Sequence, residues 1–488
     1  MNDDIPTHQV IIIGAGMSGL CMGIRLQAMG INDFVILEKS AGVGGTWYDN
    51  TYPGACCDVP SVLYSYSFEP NPNWSRKYSP HDEIRAYFEH CADKYGLRER
   101  LRLSTAVRSA RFDESAGEWE VTLESGEQLR ARAVVSGLGQ LNMPNTPAFA
   151  GADSFRGESF HSARWRHDID LTGKRVAVIG NAASALQFIP HVAAQAAQLY
   201  VYQRSANYVV KRNDSDYTEA ERSRFARWPW LQKLHRAGVY LRGELLFYPV
   251  LRNSRLLRPL WEKWAREHLE EHIRDPELRR KLTPDYPVGC KRILVADDYY
   301  QAFARDNVEL VTAPISAIDG EGVVAEDGQA RPVDVIIYGT GFNASALLSG
   351  VDFTGAGGRR LEQAWADGAE AYRGVCVAGF PNLFMLYGPN TNLGSNSIIF
   401  MVERQVNYVA ACIDKLLAHE LRSLAVNPAV MRAYNDHLQG DLAGTVWVAN
   451  CDSWYKNAAG KVVNNWPRST LYYWWHMRAP DFADFDMH

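Results

Sequence analysis

Two short glycine-bearing turns, each followed by a charged side chain, are the residues whose types and spacing could do chemistry. The first turn spans residues 14–19 and the second spans residues 180–185. Glu38 and Arg204 each come 24 residues after the start of their turn. Such a turn binds the pyrophosphate of a dinucleotide, and the later side chain contacts the ribose. A carboxylate suits a free 2′-hydroxyl and a guanidinium suits a 2′-phosphate, so the chain is predicted to bind two different dinucleotides.

Both turns need a strand before them and a helix after them. Residues 8–13 and 175–179 are apolar runs typical of strands, and helical spacing follows each turn. In the first turn, Gly14 allows the sharp bend, Gly16 admits the pyrophosphate and Gly19 packs the helix on the strand. The alternatives are a glycine turn without a ligand and, for Arg204, a solvated surface cation.

In the second turn, Ala182 takes the place of the middle glycine. A methyl group there is expected to crowd the pyrophosphate and to disfavour a positive φ, which would weaken dinucleotide binding.

A third motif joins the two units: Phe155-x-Gly157-x-x-x-His161-x-x-x-Trp165. With this motif the chain resembles the Baeyer-Villiger monooxygenases, a family of class B flavoprotein monooxygenases, and the resemblance covers nearly the whole chain. One departure is Arg166, because the family has proline or aspartate after the tryptophan. The resemblance, together with the charges at Glu38 and Arg204, implies that the first unit binds FAD and the second binds NADPH.

The predicted fold class is α/β, with two Rossmann-like dinucleotide-binding domains and a helical insertion in the NADP domain. Residues 101–137 are predicted to form a small antiparallel sheet on the first domain, and residues 380–390 a buried strand and turn at a helix start. The predicted boundaries are 1–142 and 339–488 for the FAD domain, 143–213 and 285–338 for the NADP domain, and 214–284 for the insertion.

The resemblance also implies which residues form the site. The predicted catalytic residues are Arg292, Asp58, His161 and Trp454, the last in a C-terminal loop that begins at Cys451 and Asp452. The predicted cofactor-binding residues are Gly14, Gly16, Gly19, Glu38, Gly45, Thr46, Trp47, Asp58, Gly180, Asn181, Ser184, Ala185, Arg204, Ser205, Lys291 and Asn390; no metal site is predicted.

Each catalytic residue has an alternative, structural interpretation. Asp58 could cap a turn, His161 could be a buried structural histidine, and Trp454 could pack in the core. For His161 a mechanical role between the two domains is favoured over proton transfer.

The family resemblance implies an NADPH- and O2-dependent oxidation of small hydrophobic ketones to esters or lactones through a C4a-peroxyflavin. Arg292 would stabilise the negative charge of that intermediate and of the tetrahedral adduct. One alternative is a flavin-containing monooxygenase that oxygenates nitrogen or sulfur. Another is a non-catalytic FAD-binding redox sensor, for which Ala182 is the one supporting feature.

Composition narrows the choice of partner. The 488 residues carry a formal net charge of −5, which argues against nucleic acid or a membrane as a partner. The N-terminus lacks a signal-peptide pattern and no stretch approaches about 18 apolar residues, so a cytoplasmic location is expected.

The eight cysteines are expected to be free thiols, and none forms the C-x-x-C pair of a flavin disulfide reductase. The oligomeric state, monomer or weak dimer, stays open.

Overall fold

The computed structural model describes residues 5–343, 347–348, 350–449, 453–457 and 459–488; Cys451 and Asp452, predicted to begin the C-terminal loop, lie outside them. The strands are β1 (Thr7–Ile13), β2 (Phe34–Leu37), β3 (Leu101–Arg102), β4 (Val107–Asp113), β5 (Glu118–Leu123), β6 (Gln128–Ser136), β7 (Glu158–His161), β8 (Arg175–Ile179), β9 (Gln198–Tyr202), β10 (Val209–Val210), β11 (Leu294–Val295), β12 (Val308–Val311), β13 (Ile315–Ile318), β14 (Gly322–Ala325), β15 (Ala330–Pro332), β16 (Val335–Tyr338), β17 (Asp352–Thr354), β18 (Leu383–Met385), β19 (Leu424–Val426) and β20 (Phe485–Met487).

The helices are α1 (Met17–Ala28), α2 (Thr46–Asp49), α3 (His81–Lys94), α4 (Ala183–Gln195), α5 (Glu219–Arg227), α6 (Pro229–Arg242), α7 (Tyr248–Leu251), α8 (Leu257–His272), α9 (Pro276–Leu282), α10 (Tyr299–Ala302), α11 (Leu361–Ala364), α12 (Ile398–Ala418), α13 (Pro428–Leu442) and α14 (Thr470–His476). A π-helical turn, Gly243–Phe247, joins α6 to α7. Within the described residues, no helix combines the length and the apolar character needed to cross a bilayer.

The first sheet has the strand order β17-β4-β5-β6-β1-β2-β3, with β18 paired to the end of β6. Strand β1 lies parallel to both β2 and β6, and it is buried on both faces, which explains its unbroken apolar run. The antiparallel strands β4, β5 and β6 were predicted to form a small sheet on the first domain; the strands and their antiparallel pairing are present, but they are part of the main sheet. Strand β6 is long enough to pair with β5 and also with β1, so the antiparallel strands continue the main sheet.

The second sheet is entirely parallel, with the strand order β12-β9-β8-β16-β7. Its central strand β8 leads into helix α4, as β1 leads into α1. The helices α5 to α9 of the predicted insertion are flanked by the short parallel pair of β10 and β11.

The chain passes between the two sheets along two segments that lie side by side. An antiparallel bridge pairs Pro144 with Phe342. The Asn145 N–H donates to the Gly341 carbonyl, and the Asn343 N–H donates to the Met143 carbonyl, both at 2.9 Å. The two crossings therefore form a narrow two-stranded ribbon, which we call the crossover ribbon.

Two expectations about the C-terminal half and the thiols need correction. The strand predicted before Asn390 is present as β18, but the next helix, α12, starts at Ile398, eight residues beyond Asn390. Of the described cysteines, Cys290 is disulfide-bonded, while the free thiols are Cys21, Cys56, Cys57, Cys91, Cys376 and Cys412. Spacing along the chain did not indicate this bond because disulfides depend on proximity in the fold.

Candidate functional site

The first turn is built as a pyrophosphate cradle. Gly14 has φ +104°, and a side chain at Gly19 would place its Cβ 1.8 Å from the Gly14 carbonyl oxygen. Glycine is therefore required at both positions, at the first by the backbone angle and at the second by the contact. Gly16 is the N-cap of α1 and lies opposite Gly45, which leaves the helix N-terminus open to the cavity described below.

Glu38 is buried at the end of β2, and its carboxylate is already held by backbone donors. One oxygen accepts a hydrogen bond from the Ala15 N–H at 2.7 Å, and the other accepts from the Ser40 N–H at 2.8 Å. These bonds fix the carboxylate beside the first turn, while each oxygen keeps a further lone pair for a hydroxyl donor. This is the environment predicted for a carboxylate that contacts a ribose.

The second turn repeats the geometry of the first. Gly180 also has φ +104°. The N-cap Ala182 has φ −79° and ψ −170°, against −78° and −170° for Gly16. Because this φ is negative, the expectation that Ala182 suffers from a required positive φ is wrong. The methyl group can act only through its bulk on the cavity side.

Ala185 occupies the place in the second turn that Gly19 holds in the first. The space for its methyl group comes from Gly339, where an added Cβ would lie 2.9 Å from the Ala185 Cβ. Ala185 therefore fits this turn because residue 339 is a glycine.

Past the second turn, the predicted phosphate-binding residues lie together. The Lys291 ammonium donates to the Ser205 hydroxyl at 2.8 Å, and it lies 4.7 Å from the centre of the Tyr286 ring. The Asn181 amide donates to the Ser205 carbonyl at 3.0 Å. Arg204 is exposed and lines the same cavity. Two cations and a hydroxyl at one end of a cavity suit a phosphate group.

Asp58 and Arg292, 234 residues apart, form an ion pair. The Arg292 Nε–H and an Nη2–H both donate to Asp58 Oδ2, at 2.9 and 2.6 Å. The negative charge of Asp58 is the main reason why the pKa of Arg292 is raised above its ordinary value. The guanidinium is thus permanently charged, and three of its five N–H groups are not used by Asp58.

Two tyrosines beside this ion pair were missed by sequence reasoning. Burial raises the pKa of Tyr455 to about 12, and the positive charge of Arg292 opposes that rise. Burial also raises the pKa of Tyr387, and the positive charge of Arg292 opposes that rise too. Tyr387 has φ +62° and donates its hydroxyl proton to Asn392 Oδ1 at 2.6 Å. Non-glycine residues in this strained region cluster at functional sites, but the strain leaves no mark in the sequence.

Gln187 is a third residue that sequence reasoning missed. It projects from α4 and contacts the loop that carries Asp58: its amide donates to the Cys56 carbonyl at 3.0 Å. The Tyr52 hydroxyl in turn donates to the Gln187 side-chain oxygen at 3.0 Å. Gln187 therefore ties the loop with Asp58 to the domain that carries Arg292.

The predicted loop residues surround the same space. Gly45 begins the short helix α2, and the Trp47 indole N–H donates to the Tyr64 hydroxyl at 3.0 Å. Trp454 is 37% exposed and packs against Tyr455, with ring centres 4.5 Å apart. Trp454 therefore lies at the cavity edge rather than in the core.

One continuous cavity of about 1370 Å³ connects these groups. The predicted residues that line it are Gly14, Gly16, Glu38, Gly45, Thr46, Trp47, Asp58, Gly180, Asn181, Ser184, Arg204, Ser205, Lys291, Arg292 and Trp454. Gly19 and Ala185 lie behind it and position the two helices. The cavity is larger than the roughly 300 to 1,000 Å³ typical of a pocket for one small ligand.

Asn390 was predicted to bind a cofactor, but the structure gives its side chain another task. Its amide donates to the Val462 carbonyl at 3.0 Å and to the Asn465 carbonyl at 3.2 Å. Asn390 is absent from the cavity lining formed by the described residues. It anchors the C-terminal loop, since both amide protons are used there.

His161 contacts the crossover ribbon at Gly341 and is not part of the cavity lining formed by the described residues. Its Nδ1 accepts from the Ala163 N–H at 3.1 Å, so the proton is on Nε2, which donates to the Gly341 carbonyl at 3.0 Å. Burial lowers the pKa of His161. A neutral histidine that binds the crossover ribbon supports the mechanical role over proton transfer.

The contacts of the other motif residues, from Phe155 to Trp165, show why their spacing is fixed. A Cβ at Gly157 would lie 2.4 Å from the Asp334 carbonyl oxygen and 2.6 Å from the Phe155 ring. Trp165 packs against Phe160 and Phe188. Arg166, the departure from the family pattern, forms a surface ion pair with Asp168 at 2.6 Å. The motif residues therefore organise the second domain and its connection to the first.

We expect the His161 contact to make the folded protein sensitive to acid. The folded protein lowers the pKa of His161 below 6.5. As the pH falls, the unfolded chain therefore takes up a proton on His161 before the folded protein does. The stability gained from neutral His161 is thus full above pH 6.5 and is lost as the pH falls through that value. The Tm of His161→Gln should fall less than that of the unsubstituted protein between about pH 8 and pH 5.5. Equal falls in Tm would contradict this expectation. The other buried histidines are present in both proteins, so they cannot cause a difference between the two.

The two cradles and the joining cavity define a class of protein, an oxidoreductase that carries two dinucleotides. Residues 11–222 match the family model described as pyridine nucleotide-disulphide oxidoreductase. The chain is 46% identical over 476 residues to a Baeyer-Villiger monooxygenase of Pseudomonas aeruginosa, covering 96% of this chain and 89% of that protein. The chain therefore belongs to the Baeyer-Villiger monooxygenase family.

Solved structures show the same fold. An oxidized steroid monooxygenase bound to NADP superposes with a TM-score of 0.88, at 34% sequence identity over 99% of both chains. OTEMO, in complex with FAD and NADP, superposes with a TM-score of 0.88 at 28% identity, over 99% of this chain and 100% of that chain.

Proposed function

We propose that this chain oxidises ketones to esters or lactones, with NADPH as the electron donor and dioxygen as the oxygen source. The observation that carries the proposal is the Asp58–Arg292 ion pair, which lies on the cavity that connects the two dinucleotide cradles. Membership in the Baeyer-Villiger monooxygenase family supports the reaction class. A flavin-containing monooxygenase that acts on nitrogen or sulfur needs no cation at this place.

The residues present fit both cofactors. FAD suits the first cradle, because the buried Glu38 carboxylate can accept a hydrogen bond from an unphosphorylated ribose. NADPH suits the second cradle, because Arg204, Ser205 and Lys291 offer donors to a 2′-phosphate. When bound, the flavin takes two electrons from NADPH and activates dioxygen.

Arg292 would serve the oxygen transfer as a fixed positive charge. As the ketone carbonyl becomes tetrahedral, negative charge develops on its oxygen, and the guanidinium can donate hydrogen bonds to it. Asp58 holds the guanidinium by two charge-assisted hydrogen bonds to a single oxygen. This arrangement orients Arg292 and leaves N–H groups for the substrate.

The C-terminal loop would limit access of water to the reacting atoms. Trp454 and Tyr455 lie on the loop that Asn390 anchors. Excluding water strengthens the interaction between Arg292 and the developing charge. It also protects the intermediate that transfers the oxygen from decay. We assign Trp454 to contacts with substrate or NADP.

The proposal is tested with purified holoprotein and a panel of cyclic and linear ketones, with a thioether as the comparison substrate. NADPH loss and product formation are followed in parallel by absorbance and chromatography. Ester or lactone formed in proportion to NADPH consumed supports the proposal. Sulfoxide without any ester would favour the nitrogen or sulfur oxygenase.

A non-catalytic redox sensor is disfavoured, because Ala182 adopts the backbone angles of Gly16.

The methyl group of Ala182 should have a small effect on NADPH binding. Since its φ is unstrained, glycine at this position would remove only the steric bulk. We expect Ala182→Gly to tighten the NADPH dissociation constant by roughly two- to fivefold, about 0.4 to 1 kcal/mol. Fluorescence titration measures this constant, and Ala194→Gly, at an exposed position of the same helix that does not line the cavity, is the matched control. An unchanged constant in Ala182→Gly would show that the cradle already accommodates the methyl group.

A further inference from the structure

Helix α6 of the insertion is oriented opposite to an ordinary surface helix, because its polar side faces the protein. Its buried residue is Gln232, whose amide donates to the Asn71 carbonyl. Next on this side is Arg236, whose guanidinium donates to the Val62 carbonyl at 2.8 Å and to Ser65. A surface helix normally turns its apolar stripe to the core and its charges to water.

The apolar side of α6 faces outward and continues into the π-helical turn. Helical spacing places Trp230, Leu234, Leu241 and Leu245 within one stripe along the solvent side. The side chains of this outward face are exposed by 61% for Trp230, 64% for Leu234, 52% for Leu241 and 65% for Leu245. Two further exposed apolar residues of the insertion are Trp228, just before α6 (41%), and Leu256, just before α8 (87%). We call these six residues the insertion face.

The charge around the insertion face differs from that of the whole chain. Residues 222–260 contain nine Lys and Arg and a single acidic residue, Glu244, which gives 9 − 1 = +8 against −5 for the whole chain. Glu244 is engaged inward, with the Thr470 hydroxyl and the Asn396 amide. The cations exposed around the face are Arg224, Arg227, Lys233, Arg242 and Arg255.

We propose that the insertion face docks on the surface of an anionic lipid bilayer. Tryptophan and leucine on one side of a helix, flanked by lysine and arginine, favour insertion at the boundary between headgroups and acyl chains. The attraction of each cation to anionic lipids adds to the apolar contribution. The sequence favoured a solvated helical subdomain over a membrane-surface helix for residues 214–282, because acidic residues are interleaved there. The structure shows that the acidic residue within 222–260 turns inward while several cations are exposed.

A second copy of the chain is a poorer occupant of this face. A symmetric dimer would place the same patch on both sides of the interface, and the cations around it would then repel one another. Charge complementarity therefore favours an anionic surface.

The inner side of α6, opposite the insertion face, lies against the wall of the cavity. The Asn396 amide, on the cavity lining, donates to the Tyr240 carbonyl of α6 at 3.3 Å. An added Cβ at Gly243, in the π-helical turn, would lie 2.6 Å from the Ser395 carbonyl oxygen. A bilayer under α6 would thus lie next to the cavity wall. Docking itself does not depend on the proposed ketone substrate.

The test is co-sedimentation of the full-length holoprotein with vesicles, either of phosphatidylcholine alone or with about one third phosphatidylglycerol. Leu234→Gln/Leu241→Gln removes apolar surface, and Lys233→Glu/Arg242→Glu reverses the flanking charge. Met487→Gln and Arg156→Glu are matched controls, since both residues are exposed and lie outside the insertion. Bound FAD and the Tm confirm that each variant is folded.

We expect binding to the anionic vesicles, weak binding to phosphatidylcholine alone, and release by salt of about 1 M. Each double variant should lower the partition coefficient about tenfold or more, while the two controls should match the unsubstituted protein. No sedimentation with anionic vesicles would overturn the proposal, as would binding that the double variants leave unchanged. A dimer in light scattering that Leu234→Gln/Leu241→Gln dissociates, without vesicle binding, would assign the face to a second copy instead.

Discussion

Replacing Arg292 with alanine should abolish ester formation while NADPH oxidation continues. The guanidinium is held against Asp58 at 2.6 Å on the cavity surface, and the role proposed for it lies in the oxygen-transfer step rather than in binding of the dinucleotides. Loss of a positioned donor to a developing oxyanion costs about 10²- to 10³-fold, and loss of a full charge should cost at least the upper figure. Ester is measured by chromatography, and hydrogen peroxide should account for the NADPH consumed.

Arg292→Lys and Asp58→Asn complete this experiment. Lysine keeps the charge but cannot make two bonds to one carboxylate oxygen with the same planar geometry, so we expect it to retain part of the activity. Asp58→Asn keeps the shape of the side chain and removes the charge that orients Arg292. We expect it to lower ester formation less than Arg292→Ala. Substantial ester formation by Arg292→Ala would show that the catalytic assignment is wrong.

Arg204→Ala should weaken NADPH binding about 10- to 100-fold and leave NADH binding nearly unchanged. The guanidinium is proposed to bind the 2′-phosphate, which NADH lacks, and charge-assisted hydrogen bonds to phosphate are among the strongest in proteins. The preference for NADPH over NADH should therefore fall by the same factor. Steady-state KM values for the two nucleotides and the rate of anaerobic flavin reduction measure it.

A pair of controls separates phosphate recognition from a general charge effect. Lys291→Ala should lower the same preference by a smaller factor, because Ser205 is left in place to donate to the phosphate. Arg166→Ala removes an exposed cation of the same domain that is paired with Asp168, and it should leave the preference unchanged. Equal loss of NADPH and NADH binding in Arg204→Ala would contradict the assignment.

Local sequence was sufficient to predict the two cradles. A strand, a glycine turn and a helix are adjacent in the chain, and their geometry follows from a few short-range constraints, such as the φ of +104° at both Gly14 and Gly180. The spacing from each turn to Glu38 or Arg204 is set by the length of one helix and one strand. Both charges were therefore correctly expected at the cavity, as its lining shows.

Predictions that relied on longer-range contacts were less accurate. Asn390 was expected at the cavity, but its amide binds residues more than 70 positions later in the chain. The antiparallel strands were expected as a small sheet, and their continuity with the main sheet was not foreseen because the second partner of β6 is β1, far away in sequence. Ala182 was expected to be strained, because a sequence shows the residue type and not its φ.

By itself, the sequence determined the fold class, the order of the two nucleotide units and the charged side chain that follows each glycine turn. Only the tertiary structure decided which groups meet. It brings Asp58 to Arg292 across 234 residues, joins His161 to the crossover at Gly341, and turns the apolar side of α6 outward. The physical reason is that backbone geometry and helix periodicity act over a few residues. Side-chain contacts between domains depend instead on how the whole chain packs.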